Sequence, residues 1–161
     1  MRVNFFGSVW CAYYALPHLK KSRGRIVCVS SMAGFSSAPT HTAYAASKHA
    51  MFGFFDSLRV ELYGAGVTVT MVAPDFILTE IHKRALDRHG RPLGDSPVPE
   101  SKYTSAEKCA AMMVRAMERR QRLLITSRRA KLARWAKLIA PWLLDRVAAK
   151  IMHDATGGKT F

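Results

Sequence analysis

The alternation of apolar and polar residues divides the first half of the chain into a helix, a strand and a second helix. Residues 2–21 are apolar on nearly every side, which predicts a helix that is buried on more than one face. Residues 25–31 read RIVCVSS, a β-branched run that predicts a buried strand ending in two serines. The small, turn-rich residues 32–41 predict a loop. Residues 42–63 carry apolar side chains at three- and four-residue spacing and predict the second helix.

The second half continues with shorter elements. VTVTMVA, residues 67–73, and RLLIT, residues 122–126, predict two further strands. Between them, Thr104 and Glu107 have the spacing of a capping box, which predicts a helix from there to about Arg120. Because helices separate all three strands, we expect a parallel sheet with right-handed crossovers and a ligand site at the carboxyl ends of its strands.

Two segments are less regular. Residues 75–104 are polar and contain several prolines and glycines, so they predict a long loop with at most one short helix. Residues 128–152 predict one or two basic amphipathic helices, with a break at Pro141. Such a tail suits a membrane surface, a lid over an apolar substrate, or packing on its own sheet, and the sequence leaves these alternatives open.

Charge and cysteine content narrow the class of protein. Cys11, Cys28 and Cys109 have neither disulfide-scaffold nor zinc spacing, which favours a reducing compartment and predicts a cytoplasmic protein without a metal site. The net charge is +14, and residues 119–137 contain eight basic residues and no acidic one. Such a run indicates a phosphate-rich or anionic-membrane partner, or simply a solvated face.

The most informative stretch is SSMAGFSSAPTHTAYAASK, residues 30–48. Tyr44 and Lys48 are four residues apart on a predicted helix, so they share one face. A nearby ammonium favours the phenolate form of a tyrosine, which makes Tyr44 a candidate general acid or base. Ser31, at the end of the preceding strand, would offer a hydroxyl to a substrate oxygen. A bare Tyr-x-x-x-Lys also occurs by chance on many helices, so this pair needs further support.

That support comes from residues at matching positions elsewhere, through which the chain resembles the short-chain dehydrogenase/reductase family. Ser31 precedes Tyr44 by thirteen residues, the tyrosine opens the sequence YAASK, and VNFFG places Asn4 twenty-seven residues before Ser31. Together these residues are similar to the family's Asn–Ser–Tyr–Lys tetrad. VTVTMVAPDFILTE resembles the family's strand-Pro-Gly-x-x-x-Thr segment, and the resemblance extends to about Thr126.

The resemblance implies a role for each residue in an alcohol/ketone oxidoreductase that uses NAD or NADP. Tyr44 would exchange a proton with the substrate oxygen, and Lys48 would stabilise its phenolate and hold the nicotinamide ribose. Ser31 would hydrogen-bond the substrate oxygen, and Asn4 would lie at a helix irregularity and support a water-borne proton relay to Lys48. The implied cofactor-binding residues are Tyr44, Lys48, Pro74, Ile77 and Thr79.

The chain departs from the family pattern in two respects. No glycine-rich turn of the nucleotide-binding kind is present. We therefore expect an α/β protein that is the C-terminal part of a Rossmann-like doubly wound parallel sheet, with three strands and flanking helices and without the N-terminal nucleotide-binding half. In isolation it is predicted to have little cofactor affinity. The second departure is Asp75, which stands where the family usually has glycine and would add a charge near the nicotinamide.

These inferences lead to one principal function and two alternatives. We predict a partial catalytic region over residues 1–126 and a basic amphipathic tail over residues 127–161. A homo-oligomer through the helices at 2–21 and 42–63 is implied by the family, and a small-molecule substrate is expected. The alternatives are a truncated non-catalytic relative that acts as a binding or dimerisation module, and a nucleic-acid binder, which the lack of a nucleic-acid-binding motif disfavours. The tail leaves membrane association open.

Overall fold

A computed structural model describes residues 1–86, 89–92, 94 and 103–155 of the chain. The helices are α1 (Ser8–Ser22), α2 (Thr42–Glu61), α3 (Ile81–Arg84), α4 (Ala106–Glu118), α5 (Arg128–Ile139) and α6 (Pro141–Ala155). A π-helical turn, Arg2–Gly7, leads into α1, and a 3₁₀ turn spans Met32–Gly34. The strands are β1 (Arg25–Val29), β2 (Thr68–Ala73), β3 (Ile77–Leu78), β4 (Thr104–Ser105) and β5 (Leu123–Ile125).

The principal sheet is parallel, as the alternation of strands and helices predicts. Its strand order is β1-β2-β5, and Met71 on the central strand is in register with Cys28 of β1 and Leu123 of β5. Every residue of β2 after Thr68 is buried. A continuously buried strand of this kind is typical of a parallel sheet that is covered on both faces.

The core lies between this sheet and α2. The face of α2 that carries Met51, Phe55 and Leu58 is buried together with Val69 and Met71 of β2. The three- and four-residue spacing of these helix positions explains the packing, since it places them in one stripe. As a result, the first turns of α2 lie beside the carboxyl end of β1.

A smaller core, which shares Phe52 and Leu123 with the first, attaches α5 to the sheet. Ala73, Ile125 and Ala130 are buried together, and Met32 and Phe35 pack against them. Thus the first turn of α5 packs on the sheet. The predicted boundary at residue 126 is not tested by this packing and stays a prediction.

The region between β2 and α4 is more ordered than the sequence predicts. The expected short helix is present as α3, but β3 and β4 also pair in parallel, with Ile77 opposite Thr104. Two-residue strands are too short to leave a periodic signal. The predicted capping residue of α4 is wrong by one position, because Thr104 belongs to β4. The residue that caps α4 is Ser105, whose side chain accepts a hydrogen bond from the Lys108 amide at 3.2 Å.

Within the described residues, β1 forms one edge of the principal sheet. It pairs with β2 on one side, and Val29 remains 44 % exposed. The outer side of β1 and α1 frame an open apolar groove of about 660 Å³. The described helices include none whose length and hydropathy would let it cross a bilayer.

Candidate active site

The carboxyl end of β1 is fastened to α2 by a short serine-rich segment. The Ser30 hydroxyl donates to the Lys48 carbonyl oxygen at 3.2 Å, which joins the strand end to the second turn of the helix. The next residue, Ser31, caps the 3₁₀ turn, since its Oγ accepts from the Ala33 amide at 3.2 Å. Ser31 is half-buried, and its hydroxyl proton is still available to donate to an external acceptor.

The structure brings Tyr44 and Lys48 together on one face of α2. The Lys48 Nζ lies 5.6 Å from the centre of the Tyr44 ring and donates to the Val29 carbonyl oxygen at 3.2 Å. That hydrogen bond draws the ammonium towards the end of β1. Tyr44 is 41 % exposed, so a ligand can approach it from solvent.

Burial changes the pKa of Lys48. Desolvation lowers the pKa of its ammonium, and the nearby Cys28 thiolate would act in the opposite direction. Burial also raises the pKa of the Cys28 thiol from 9.0 to about 12, with a smaller opposing effect of Lys48. At neutral pH Cys28 is therefore an uncharged thiol, and it places no negative charge beside Lys48.

Asn4 is linked to Tyr44 through Ser47, a residue that the sequence analysis did not identify. Asn4 lies in the π-helical turn, and its Nδ2 donates to Ser47 Oγ at 3.1 Å. The buried Ser47 hydroxyl in turn donates to the Tyr44 carbonyl oxygen at 2.7 Å. The described contacts thus connect Asn4 to the backbone of Tyr44. The sequence feature that could have identified Ser47 is its position three residues after Tyr44, which places it on the same side of the helix.

The predicted nicotinamide contacts lie on the segment that follows β2. Pro74 accepts a hydrogen bond from the Met32 amide at 3.1 Å, so this segment is linked to the turn that Ser31 caps. Ile77 is half-buried in β3, and Thr79 is exposed just beyond it. Phe76 stacks on Tyr103 with ring centres 5.5 Å apart.

The Asp75 carboxylate is bound by side chains at the start of α5. The Ser127 hydroxyl donates to Asp75 Oδ2 at 2.6 Å, and Arg129 Nη2 donates to Oδ1 and Oδ2 at 2.8 and 3.0 Å. The Asp75 amide donates to Thr126 Oγ1 at 2.9 Å. We call this set of Asp75, Ser127 and Arg129 the carboxylate clamp.

The clamp pairs the charge that the sequence places at Asp75. The Asp75 side chain is 9 % exposed and bonded to Arg129, and the expectation that it adds a charge near the nicotinamide stays a prediction. The residue also avoids a left-handed backbone conformation, so the chain does not need glycine there. The Arg129 guanidinium lies 5.5 Å from the centre of the Phe76 ring, which further fixes the loop after β2.

Comparison with known proteins gives the same family as the residues do. A family model described as short chain dehydrogenase matches residues 1–89. An Arabidopsis thaliana protein named 11-beta-hydroxysteroid dehydrogenase-like 6 is 36 % identical over 131 residues, which are 78 % of this chain and 38 % of that protein. Dehydrogenase/reductase SDR family member 7B of Xenopus laevis is 34 % identical over 163 residues, covering 100 % of this chain and 50 % of the relative.

Solved structures share the fold. A short chain dehydrogenase from Burkholderia cenocepacia, crystallised with NADP, superposes with a TM-score of 0.74 at 23 % identity, covering 91 % of this chain and 56 % of that one. The chain spans about half the length, or less, of the curated relatives it matches. The family model, which matches more than half of the chain, establishes that it belongs to the short chain dehydrogenase family.

Proposed function

We propose that the chain supplies the catalytic centre of an NAD(P)-dependent oxidoreductase that interconverts an alcohol and a ketone. The observation that carries the proposal is the position of Lys48, whose Nζ is held by the Val29 carbonyl oxygen and lies 5.6 Å from the Tyr44 ring. A desolvated ammonium beside an accessible phenol is the arrangement that proton transfer at a substrate oxygen needs.

The described residues fit the nicotinamide-ribose end of such a cofactor. Lys48 has three N–H donors and makes one hydrogen bond with the described residues, which leaves donors for ribose hydroxyls. Ile77 and Thr79 offer an apolar contact and a hydroxyl on the segment beside Ser31. When bound, the nicotinamide would supply or accept the hydride. The preference for NAD or NADP and the nucleotide-binding residues belong to the predicted missing half, which stays a prediction.

The residues of the chain would divide the remaining work. Tyr44 would give or take the proton at the substrate oxygen, and Ser31 would orient that oxygen through its free hydroxyl proton. Lys48 would stabilise the Tyr44 phenolate by its charge. The contact from Asn4 through Ser47 to the Tyr44 backbone would fix the first turn of α2, and the predicted relay from Asn4 to Lys48 would need water between them.

Assembly is proposed on the faces of α1 and α2. Trp10, Tyr13 and Tyr14 of α1 are exposed and lie against one another, with centre-to-centre distances of 5.3 to 6.3 Å. Exposed aromatic clusters of this kind favour a protein contact, and we infer a homo-oligomer in which these helices meet.

A second candidate function is that of a non-catalytic binding module. The open groove between β1 and α1 favours it, because an unpaired strand edge beside an apolar surface is suited to bind another polypeptide. The oxidoreductase and the binding module differ in the effect that a substitution of Tyr44 would have on activity. Enzymatic turnover needs the Tyr44 hydroxyl, whereas binding at the groove does not.

The test is an assay of the native protein, purified from its own cells with its intact mass recorded, on a panel of ketones with NADH and NADPH. Tyr44→Phe is expected to lower turnover at least about a hundredfold while cofactor still binds. Lys48→Ala is expected to weaken cofactor binding and to shift the pH optimum upward. Lys20→Ala, on the exposed end of α1, is the matched control. Unchanged turnover in Tyr44→Phe would contradict the mechanism, and cofactor binding without turnover in the wild type would favour the binding module.

A further inference from the structure

The helix pair α5–α6 presents an apolar surface that nothing in the described structure covers. One side of α5 is attached to the sheet through the buried Ala130. The side chains on the outside of the pair are between 46 and 80 % exposed: Leu132, Trp135, Leu138, Ile139, Trp142, Leu143, Val147 and Ile151. We call these eight residues the outer apolar face.

Helical spacing makes this face continuous along each helix. Leu132, Trp135 and Ile139 are three and four residues apart on α5, so they form one stripe. Leu143, Val147 and Ile151 are four residues apart on α6 and form another. A stable water-soluble helix would normally carry polar side chains at such exposed positions. The pattern therefore indicates a surface that is meant to be covered.

Basic side chains border the outer apolar face. Lys131 and Arg134 flank the stripe of α5, and Arg146 and Lys150 flank that of α6; all four are exposed. The Arg146 guanidinium lies 5.1 Å from the centre of the Trp142 ring, so a positive charge sits directly beside an exposed indole. We call these four residues the basic rim.

The acidic group described on this helix pair points elsewhere. Asp145 Oδ1 accepts from Ser37 Oγ at 3.4 Å, which turns it towards the body of the molecule. Among the described side chains, the charges that border the outer apolar face are therefore positive. A covering partner must combine an apolar interior with a negative surface.

We propose that the outer apolar face and its basic rim dock on the surface of an anionic lipid bilayer. Tryptophan and leucine side chains would enter the boundary between headgroups and acyl chains, and the rim would contact the anionic headgroups. The helices would lie in the plane of the surface.

A second copy of the chain fits this surface less well than a bilayer does. A two-fold contact places the same patch on both sides of the interface, so the basic rim of one copy would approach that of the other. Like charges brought together in this way disfavour association. The proposal does not depend on enzymatic activity, and either can fail without the other.

The test is flotation of the full chain with vesicles of phosphatidylcholine alone or of phosphatidylcholine mixed with phosphatidylglycerol. A Trp10→Phe background leaves the fluorescent indoles on the outer apolar face, since the chain has three tryptophans. We expect flotation and a blue shift of emission with the anionic vesicles only. The double variant Lys131→Gln/Arg134→Gln is expected to lower partitioning about thirtyfold. Trp135→Ser is expected to lower it as well and to reduce the blue shift.

The controls remove similar groups from other helices. Lys20→Gln/Lys21→Gln removes two exposed charges of α1, and Val114→Ser removes an exposed apolar side chain of α4; both are expected to float like the wild type. Circular dichroism of each variant excludes unfolding as the cause of a loss. Failure to float with anionic vesicles would overturn the proposal. So would sedimentation showing a dimer in the absence of lipid that Trp135→Ser dissociates, because the second copy would then be the occupant.

Discussion

The ends of two neighbouring strands use polar side chains in opposite ways. At the end of β1, the Tyr44 hydroxyl makes no hydrogen bond with the described residues, and Lys48 makes one. At the end of β2, the Asp75 carboxylate accepts from both Ser127 and Arg129. Tyr44 and Lys48 have hydrogen-bond donors and acceptors left for a ligand, whereas the Asp75 carboxylate is already hydrogen-bonded within the protein.

This difference in hydrogen bonding is the one expected between a proposed catalytic site, at the end of β1, and a structural contact, at the end of β2. A buried carboxylate whose partners are complete stabilises the structure only as long as all of them remain, because a lost partner leaves a desolvated group behind. A tyrosine hydroxyl without a hydrogen-bond partner among the described residues contributes little to stability. We therefore expect substitutions at the two strand ends to affect the free energy of unfolding very differently.

The largest effect on stability is expected at the carboxylate clamp. Asp75→Asn removes the charge that Arg129 binds and is expected to lower the free energy of unfolding by about 2 kcal/mol. Denaturation by urea measures this. Asp56→Asn is the control: Asp56 pairs with Arg59 and Arg122, but its side chain is 42 % exposed against 9 % for Asp75, so solvent screening should limit the loss to about 0.5 kcal/mol. Equal losses in the two variants would show that the clamp is no more than a surface ion pair.

The sequence predicts the site at β1 better than it predicts the clamp. Tyr44 and Lys48 are four residues apart on one helix, so local periodicity suffices to place them together. Asp75 and Arg129 are separated by 54 residues, and no spacing rule connects a residue after one strand with the first turn of a helix after another. Their pairing depends on β2 and β5 being neighbours in register, which only the folded sheet establishes.

The link between Asn4 and Ser47 could not be predicted for the same reason. These residues are 43 positions apart, and their contact follows from the packing of the π-helical turn against α2. By contrast, the parallel order of the sheet was predictable, because it follows from helices that separate consecutive strands.

A smaller effect is expected from the thiol beneath the site. The pKa of Cys28 is raised by burial to about 12, so above pH 9.0 the unfolded chain releases this proton while the folded chain keeps it. Stability is therefore lost as pH rises through that window. Over the first pH unit above 9.0, Cys28→Ala should lose about 1 kcal/mol less than the wild type. The exposed Cys11→Ala is the control and should follow the wild-type slope; identical slopes for all three proteins would contradict the burial of Cys28.

The smallest effect on stability is expected where the largest effect on turnover is proposed. Tyr44→Phe removes a hydroxyl that has no partner among the described residues, so the free energy of unfolding should change by less than about 0.5 kcal/mol. Urea denaturation of the same preparations used for the enzyme assay measures this. A loss as large as that of Asp75→Asn would mean that the hydroxyl is bonded within the folded protein. The strand end at β1 would then be a structural network like the clamp, and a fall in turnover could no longer be assigned to proton transfer by Tyr44.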